Sequence, residues 1–212
     1  FTAKEEGFIY GRINNPTVDI FERRMADLEG AEAGLAMSSG MSAAFMIAAH
    51  LAKSGDEIVS CDRAYGGTFH LFHDTLPRFG IKVNFVENPH DIKSWKSAIT
   101  KKTKFLFVET PSNPQMEVFD IAALAEIAHK NKLPLVVDST IATPALQRPV
   151  EFGADVVIHS LTKFINGSSD TVGGVVCGTQ DFINELRSVN DGACMLLGST
   201  MDSLRASSIL KN

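Results

Sequence analysis

The sequence lacks several patterns that would indicate particular classes of protein. Its only cysteines, Cys61, Cys177 and Cys194, are widely spaced and lie mostly in apolar runs. No disulfide framework is predicted, and we expect reduced core thiols in a cytoplasmic protein. The longest apolar stretch, residues 43–52, is interrupted by His50 and is too short to span a bilayer. No membrane segment is predicted, and the polar N-terminal residues do not resemble a signal peptide.

Positive charge is also scarce. The chain has 20 Lys and Arg against 25 Asp and Glu, and its formal net charge is −5. Because no cluster of basic residues could follow a phosphate backbone, nucleic acid is not an expected partner. Neither a Walker motif nor a G-x-G-x-x-G is present, which disfavours a nucleotide-dependent oxidoreductase, the main competing α/β class. No metal site is predicted.

The patterns that are present favour an α/β fold. The 212 residues suffice for one sizeable domain with a core. Short apolar strands alternate with helical patterns, which predicts a mostly parallel, doubly wound sheet flanked by helices over residues 16–212. The strand at 174–177 is a candidate antiparallel member. Helices are predicted at 16–29, capped by Asn15 and closed by Gly30, and at 69–78, 182–189 and 206–210.

Two predicted strands end in residues that suggest chemistry. Asp138 follows the strand at 135–137, and Ser160, Thr162 and Lys163 follow the strand at 156–158. Ligands bind at the carboxyl edge of such sheets. A lysine after a strand is more often a solvated surface charge, but one among apolar neighbours suits attack on a carbonyl. Pyridoxal phosphate, whose protein partners are a lysine and an acid, is the most plausible carbonyl, with Asp138 as that acid.

Three further segments are candidates for the same edge. Residues 38–42, Ser-Ser-Gly-Met-Ser, join a strand to a helix, where free N–H groups and the helix dipole favour an anion such as phosphate. Tyr65 lies in a Gly-flanked loop that would let its ring approach a planar ligand. Asn113 lies in a polar, proline-stiffened turn after another strand.

Six segments together resemble one family. YGRINNPT, SSGMSA, AYGGTF, ETPSNP, VVDSTIATPALQRPVEFGAD and HSLTKFINGSSDTVGG are similar, in this order, to the pyridoxal phosphate enzymes of cysteine and methionine metabolism. That family includes cystathionine γ-synthases, cystathionine β- and γ-lyases, methionine γ-lyases and homoserine-ester sulfhydrylases. The resemblance implies the large domain of a fold-type I transferase, catalysing β/γ-elimination or γ-replacement on homoserine esters, cystathionine or methionine.

The resemblance also implies residue roles. Lys163 would form the Schiff base with the cofactor, Asp138 would pair with the ring nitrogen, and Tyr65 would stack on the ring and act as an acid or base. Asn113 would contact the ring hydroxyl. The remaining cofactor contacts would hold the phosphate, and they are Ser39, Gly40, Met41, Ser160, Thr162, Tyr10 and Arg12. Of these, Tyr10 and Arg12 would reach the phosphate from a neighbouring subunit of a homotetramer.

The sequence departs from the family at several points. Ser168 stands where a histidine is common, Ala145 where a tyrosine often occurs, and Gly67 where dedicated methionine γ-lyases tend to have a cysteine. The resemblance further implies that residues 1–15 reach the neighbouring subunit. The family's C-terminal small domain, which carries the arginine that grips the substrate carboxylate, is expected to be absent from these 212 residues. If the chain is a true fragment, we expect weak cofactor binding and little turnover, or a non-catalytic assembly module.

Overall fold

A single seven-stranded sheet organises residues 7–212, the part of the chain that the computed structural model describes. Residues 1–6 of the predicted N-terminal segment therefore lie outside the described residues. The spatial order of the strands is β1-β7-β6-β5-β4-β2-β3. Their bounds are β1 Ala33–Met37, β2 Glu57–Ser60, β3 Lys82–Phe85, β4 Thr103–Glu109, β5 Leu135–Asp138, β6 Val156–Ser160 and β7 Gly174–Gly178.

Helices connect the strands and cover both faces of the sheet. The longer ones are α1 Pro16–Glu29, α2 Gly40–Leu51, α4 Ile92–Ala98, α5 Ile121–Lys130, α7 Gln180–Arg187 and α9 Ser203–Ile209. The shorter ones are α3 Gly66–His70, α6 Thr143–Leu146 and α8 Ala193–Leu197. Among the described residues, none of these helices is long and apolar enough to cross a membrane.

Most strand pairs are parallel, as predicted. The strands from β2 to β6 pair in parallel, whereas β7 runs antiparallel to both of its neighbours, β6 and β1. The antiparallel assignment of residues 174–177 is thus confirmed. Because β4, β5 and β6 are parallel neighbours, their carboxyl ends lie side by side.

Capping explains where the first two helices begin. Asn15 Oδ1 accepts hydrogen bonds from the N–H groups of Thr17 and Val18, and Gly30 ends α1 with a φ of 74°. Helix α2 starts with a capping box, in which the Ser39 and Ser42 side chains each bond to the other residue's N–H group.

Other helix predictions need correction. The helix expected at 69–78 begins earlier, at Gly66, and passes through a π-helical turn, Leu71–Thr75, into a 3₁₀ turn, Leu76–Phe79. Pro77 has no N–H group and cannot continue a regular α-helix, which accounts for the change of winding. The helix expected at 182–189 is α7, which begins earlier, at Gln180, because Thr179 caps it. The helix expected at 206–210 is α9, which begins at Ser203 because Asp202 caps it. Helices α6 and α8 were not predicted.

Side chains alternate between two cores, one on each face of the sheet. In β4, Phe105 and Phe107 pack on the α2 side, and Leu106 and Val108 pack on the α1 side. Burial of both faces accounts for the continuous apolar strands. All three cysteines are free and buried, as expected of core thiols.

Candidate active site

A cleft of about 670 Å³ opens at the carboxyl ends of β4, β5 and β6, next to the start of α2. Alternation along the strands points their last residues toward the α2 side, because Phe107, Val136 and Ile158 belong to that core. The cleft is lined by Ser39, Gly40, Met41, Tyr65, Thr68, Glu109, Asn113, Asp138, Thr140, Ile141, Ser160, Thr162, Lys163, Phe164, Gly167, Ser169 and Val172. All predicted site residues except Tyr10 and Arg12 are among them.

The start of α2 forms one wall of the cleft. The first N–H groups of a helix have no acceptor inside the helix, so those of Gly40 and Met41 are available to an anion. The backbone passes very close to the end of β6, since a Cβ on Gly40 would lie 2.6 Å from Ser160 Cβ. A Cβ on Gly174 would lie 2.2 Å from the Ser39 carbonyl oxygen. Glycine at both positions is therefore what allows this wall to form.

Asp138 ends β5 on the floor of the cleft. Its Oδ1 accepts hydrogen bonds from the Thr140 N–H group at 3.0 Å and from Thr140 Oγ1 at 2.6 Å. Burial raises the pKa of Asp138, while the Thr140 hydrogen bonds and His159 act in the opposite direction. Thr140 Oγ1 also accepts the N–H of Ser160 at 2.8 Å, so Thr140 links the ends of β5 and β6. Sequence analysis missed Thr140, although its place two residues after the acid is a signal of an Asx turn.

Glu109 is a second carboxyl group that sequence analysis did not assign to the site. It ends β4, lies opposite Asp138 in the parallel register, and is 3% exposed. Its Oε2 accepts the N–H of Tyr65 at 2.7 Å, and its Oε1 accepts the N–H of Asn113 at 2.8 Å. Burial and the charge of Asp138 raise the pKa of Glu109 to about 8.

The lysine and tyrosine lie at the rim. Lys163 follows β6 in a turn whose N–H groups donate to Ser160 and Leu161 carbonyls, and its side chain is exposed to the cleft. Thr162 Oγ1 lies 3.2 Å from the N–H of Gly173, which fixes its side chain at the edge. Tyr65, which precedes α3, is 49% exposed.

Tyr10 and Arg12 lie away from the cleft within this chain. Arg12 Nη1 donates to the Met195 carbonyl oxygen at 2.6 Å, and the guanidinium carbon lies 5.5 Å from the centre of the Tyr10 ring. Both residues are exposed. Their contribution to the site of a neighbouring subunit stays a prediction.

The residues that are present fit pyridoxal phosphate. Two carboxyl groups end neighbouring strands in low-dielectric surroundings, and such a pair favours a cation beside it. A protonated pyridine nitrogen supplies that cation, and both hydrogen bonds of Asp138 involve Oδ1 alone, which leaves Oδ2 for the ring N–H. The N–H groups of α2 suit a phosphate, and Lys163 presents a primary amine to the same cleft.

Comparison with known proteins identifies the family of this chain. The sequence model of the protein family described as "Cys/Met metabolism PLP-dependent enzyme" matches residues 1–211. This chain belongs to that family. The predicted family is thereby confirmed, and with it pyridoxal phosphate as the cofactor.

Individual relatives carry several activities. The chain is 51% identical over 176 residues to an O-acetyl-L-homoserine sulfhydrylase of Corynebacterium glutamicum, covering 83% of this chain and 40% of that protein. It is 42% identical over 187 residues to an L-methionine gamma-lyase of Pseudomonas putida, covering 88% of this chain and 47% of that protein. The chain thus spans about half the length of the curated relatives that it matches.

A solved structure confirms the predicted fold class. The crystal structure of cystathionine gamma-lyase from Lactobacillus plantarum, complexed with L-serine, superposes with a TM-score of 0.92. The two chains are 32% identical, and the match covers 99% of this chain and 54% of that one.

Proposed function

We propose that this chain is the pyridoxal phosphate-binding part of an enzyme that eliminates or replaces a substituent at Cβ or Cγ of a sulfur-related amino acid. One observation carries the proposal: a lysine, a buried acid, an aromatic ring and a helix N-terminus line one cleft. A catalytically silent module would have no need for all four. Their presence therefore disfavours the assembly-module alternative.

Each residue has a role that its chemistry supports. The Lys163 Nζ would hold the cofactor through its aldehyde and, when free, would take and return protons at substrate carbons. Asp138 keeps the ring nitrogen protonated. The bound cofactor then supplies an electron sink for a bond broken at the substrate Cα. Tyr65, which lines the cleft, would cover the ring and could serve as an acid or base near the leaving group.

The phosphate contacts follow from the wall formed by α2. The Ser39, Gly40 and Met41 segment offers N–H groups and the positive end of the helix dipole. Ser160 and Thr162 offer hydroxyl groups from the opposite side. Asn113 is proposed to contact the ring hydroxyl.

Space beside Tyr65 supports γ-replacement on a homoserine ester over elimination from methionine. A Cβ on Gly67 would lie 2.5 Å from Tyr65 Cε1 and 3.1 Å from Met41 Sδ. The cysteine that is typical of methionine γ-lyases at this position would thus displace the Tyr65 ring. Glycine here leaves the Tyr65 ring in place, which favours a sulfhydrylase-type site like that of the Corynebacterium glutamicum relative.

The oligomeric state and the compartment are also proposals. Lys163 is the only Lys or Arg among the described residues that line the cleft, so a phosphate would gain a cation if Arg12 of a second copy reached it. Exposed apolar residues near Arg12, including Phe8 and Ile9, support an interface there. We therefore propose a homo-oligomer built from dimers, with its three free cysteines suited to the cytoplasm.

Product analysis tests the proposed reaction. The chain is incubated with pyridoxal phosphate and either O-acetylhomoserine plus sulfide, cystathionine or methionine. Homocysteine from the first mixture indicates replacement, and a 2-oxo acid with ammonia indicates elimination. The Lys163→Ala variant is the control and should give neither. Equal product from the variant and the unmutated chain would refute the proposed role of Lys163.

A further inference from the structure

The Glu109 carboxylate joins two loops that follow neighbouring parallel strands, β2 and β4. Tyr65 belongs to the loop after β2, and Asn113 belongs to the turn after β4. Each residue donates its backbone N–H to a different oxygen of Glu109, at 2.7 and 2.8 Å. One buried side chain therefore links the backbone of both loops.

Only an ionised carboxylate satisfies both N–H groups equally. Each of its oxygens accepts, whereas an amide of the same shape presents one acceptor and one NH₂ donor. A glutamine at this position would leave one buried N–H facing another donor. The two contacts thus require the negative charge as well as the shape of Glu109.

That charge lies in an unfavourable place without a cation. Glu109 and Asp138 end adjacent strands in register, and both belong to the cleft. Their mutual repulsion and their burial oppose ionisation of the pair. A protonated cofactor ring would relieve the repulsion, so that binding the ring and holding both loops should reinforce each other.

We infer that Glu109 is a positioning residue, whose carboxylate holds the Tyr65 loop and the Asn113 turn in place around the cofactor ring. The inference rests on the proposed function for the identity of the ring. The two hydrogen bonds from the Tyr65 and Asn113 N–H groups to Glu109, which we call the clamp, are a property of the chain alone.

Amide hydrogen exchange without cofactor tests the two hydrogen bonds when it is measured at about pH 9, above the pKa of about 8 of Glu109, where the carboxylate is ionised. In the unmutated chain, the N–H groups of Tyr65 and Asn113 should exchange at least about tenfold more slowly than the N–H group of Gly66. Gly66 is the reference because it is the first residue of α3, where the N–H group has no acceptor within the helix. In Glu109→Gln, at least one of the two should lose about tenfold of this protection. Glu126→Gln removes one charge from an exposed site on α5 and should change neither.

Visible circular dichroism with pyridoxal phosphate tests the effect on the cofactor. Glu109→Gln should lower both the affinity and the signal per bound cofactor, because the ring is less firmly oriented. A purely structural role would lower occupancy and leave the signal per bound cofactor unchanged, which would overturn the positioning role. Glu126→Gln again serves as the control.

The outcomes separate the two proposals. Exchange at Tyr65 and Asn113 as fast as at Gly66 in the unmutated chain would overturn the clamp, and this measurement does not depend on whether Glu109→Gln folds. An unmutated chain that binds no pyridoxal phosphate but protects both N–H groups would overturn the proposed function and leave the clamp standing.

Discussion

Gly40→Ala is the substitution that most directly tests the wall formed by α2. The new Cβ would lie 2.6 Å from Ser160 Cβ and 2.8 Å from Ser160 Cα, whereas ordinary contact begins at 3.4 Å. The start of α2 must therefore move away from the end of β6 by about 0.8 Å. Overpacking of this kind lowers the free energy of unfolding by about 1–3 kcal/mol.

The same displacement should weaken phosphate binding. A phosphate held between the α2 N–H groups and Ser160 cannot keep both sets of contacts at their best distances. Loss of one hydrogen bond to a charged group costs about 1.5–3 kcal/mol, which corresponds to roughly 10- to 150-fold in affinity. Pyridoxal has no phosphate, so its affinity should change much less than that of pyridoxal phosphate.

Spectroscopic titration with the two aldehydes measures the difference. Gly66→Ala is the matched control, because a Cβ there meets nothing within 4 Å and the residue does not line the cleft. If Gly40→Ala bound pyridoxal phosphate within about twofold of the unmutated chain, the assignment of the phosphate to α2 would be refuted.

Three other predictions concern buried ionisable groups. Asp138→Asn should weaken pyridoxal phosphate binding by at least about tenfold in the same titration, because a neutral amide cannot balance the ring cation; unchanged affinity would contradict the pairing. His159 and Glu29 are fully buried and hydrogen-bonded to each other, so His159→Leu should lower the free energy of unfolding in urea by about 3–5 kcal/mol, and the double replacement by leucine should recover most of it. The pKa of Glu109 rises from 4.5 to about 8 on folding, so the folded chain without cofactor keeps a proton that the unfolded chain has lost. The free energy of unfolding should therefore fall as pH rises from 4.5 to about 8, by up to about 1.4 kcal/mol per pH unit. Glu109→Gln should reduce that slope, and an unchanged slope would contradict the assignment.

Local patterns made most of the fold predictable. Asn15, Pro16 and Gly30 mark the bounds of α1 because capping acts within a few residues. Strands were recognisable since burial of both faces leaves continuous apolar runs. The winding around Leu71–Thr75 was not predictable, because Pro77 signals a disturbance without specifying its form.

The site was predictable where residue type alone suggests chemistry. Lys163 and Asp138 stand out because an acid ends one strand and a lysine follows the neighbouring strand within a few residues. Glu109 was missed because its importance depends on register with Asp138 and on two backbone donors from separate loops. Such long-range hydrogen bonds leave no local pattern. A carboxylate at the end of an apolar strand, as in residues 105–109, is the one signal that could have identified it.

The most direct test of the account is borohydride reduction of the purified chain with pyridoxal phosphate, followed by mass mapping of the labelled peptide. The account predicts a visible absorption band that disappears on reduction, with the cofactor fixed to Lys163 and absent from Lys163→Ala. A label that maps to another lysine, or an equal label in Lys163→Ala, would contradict it.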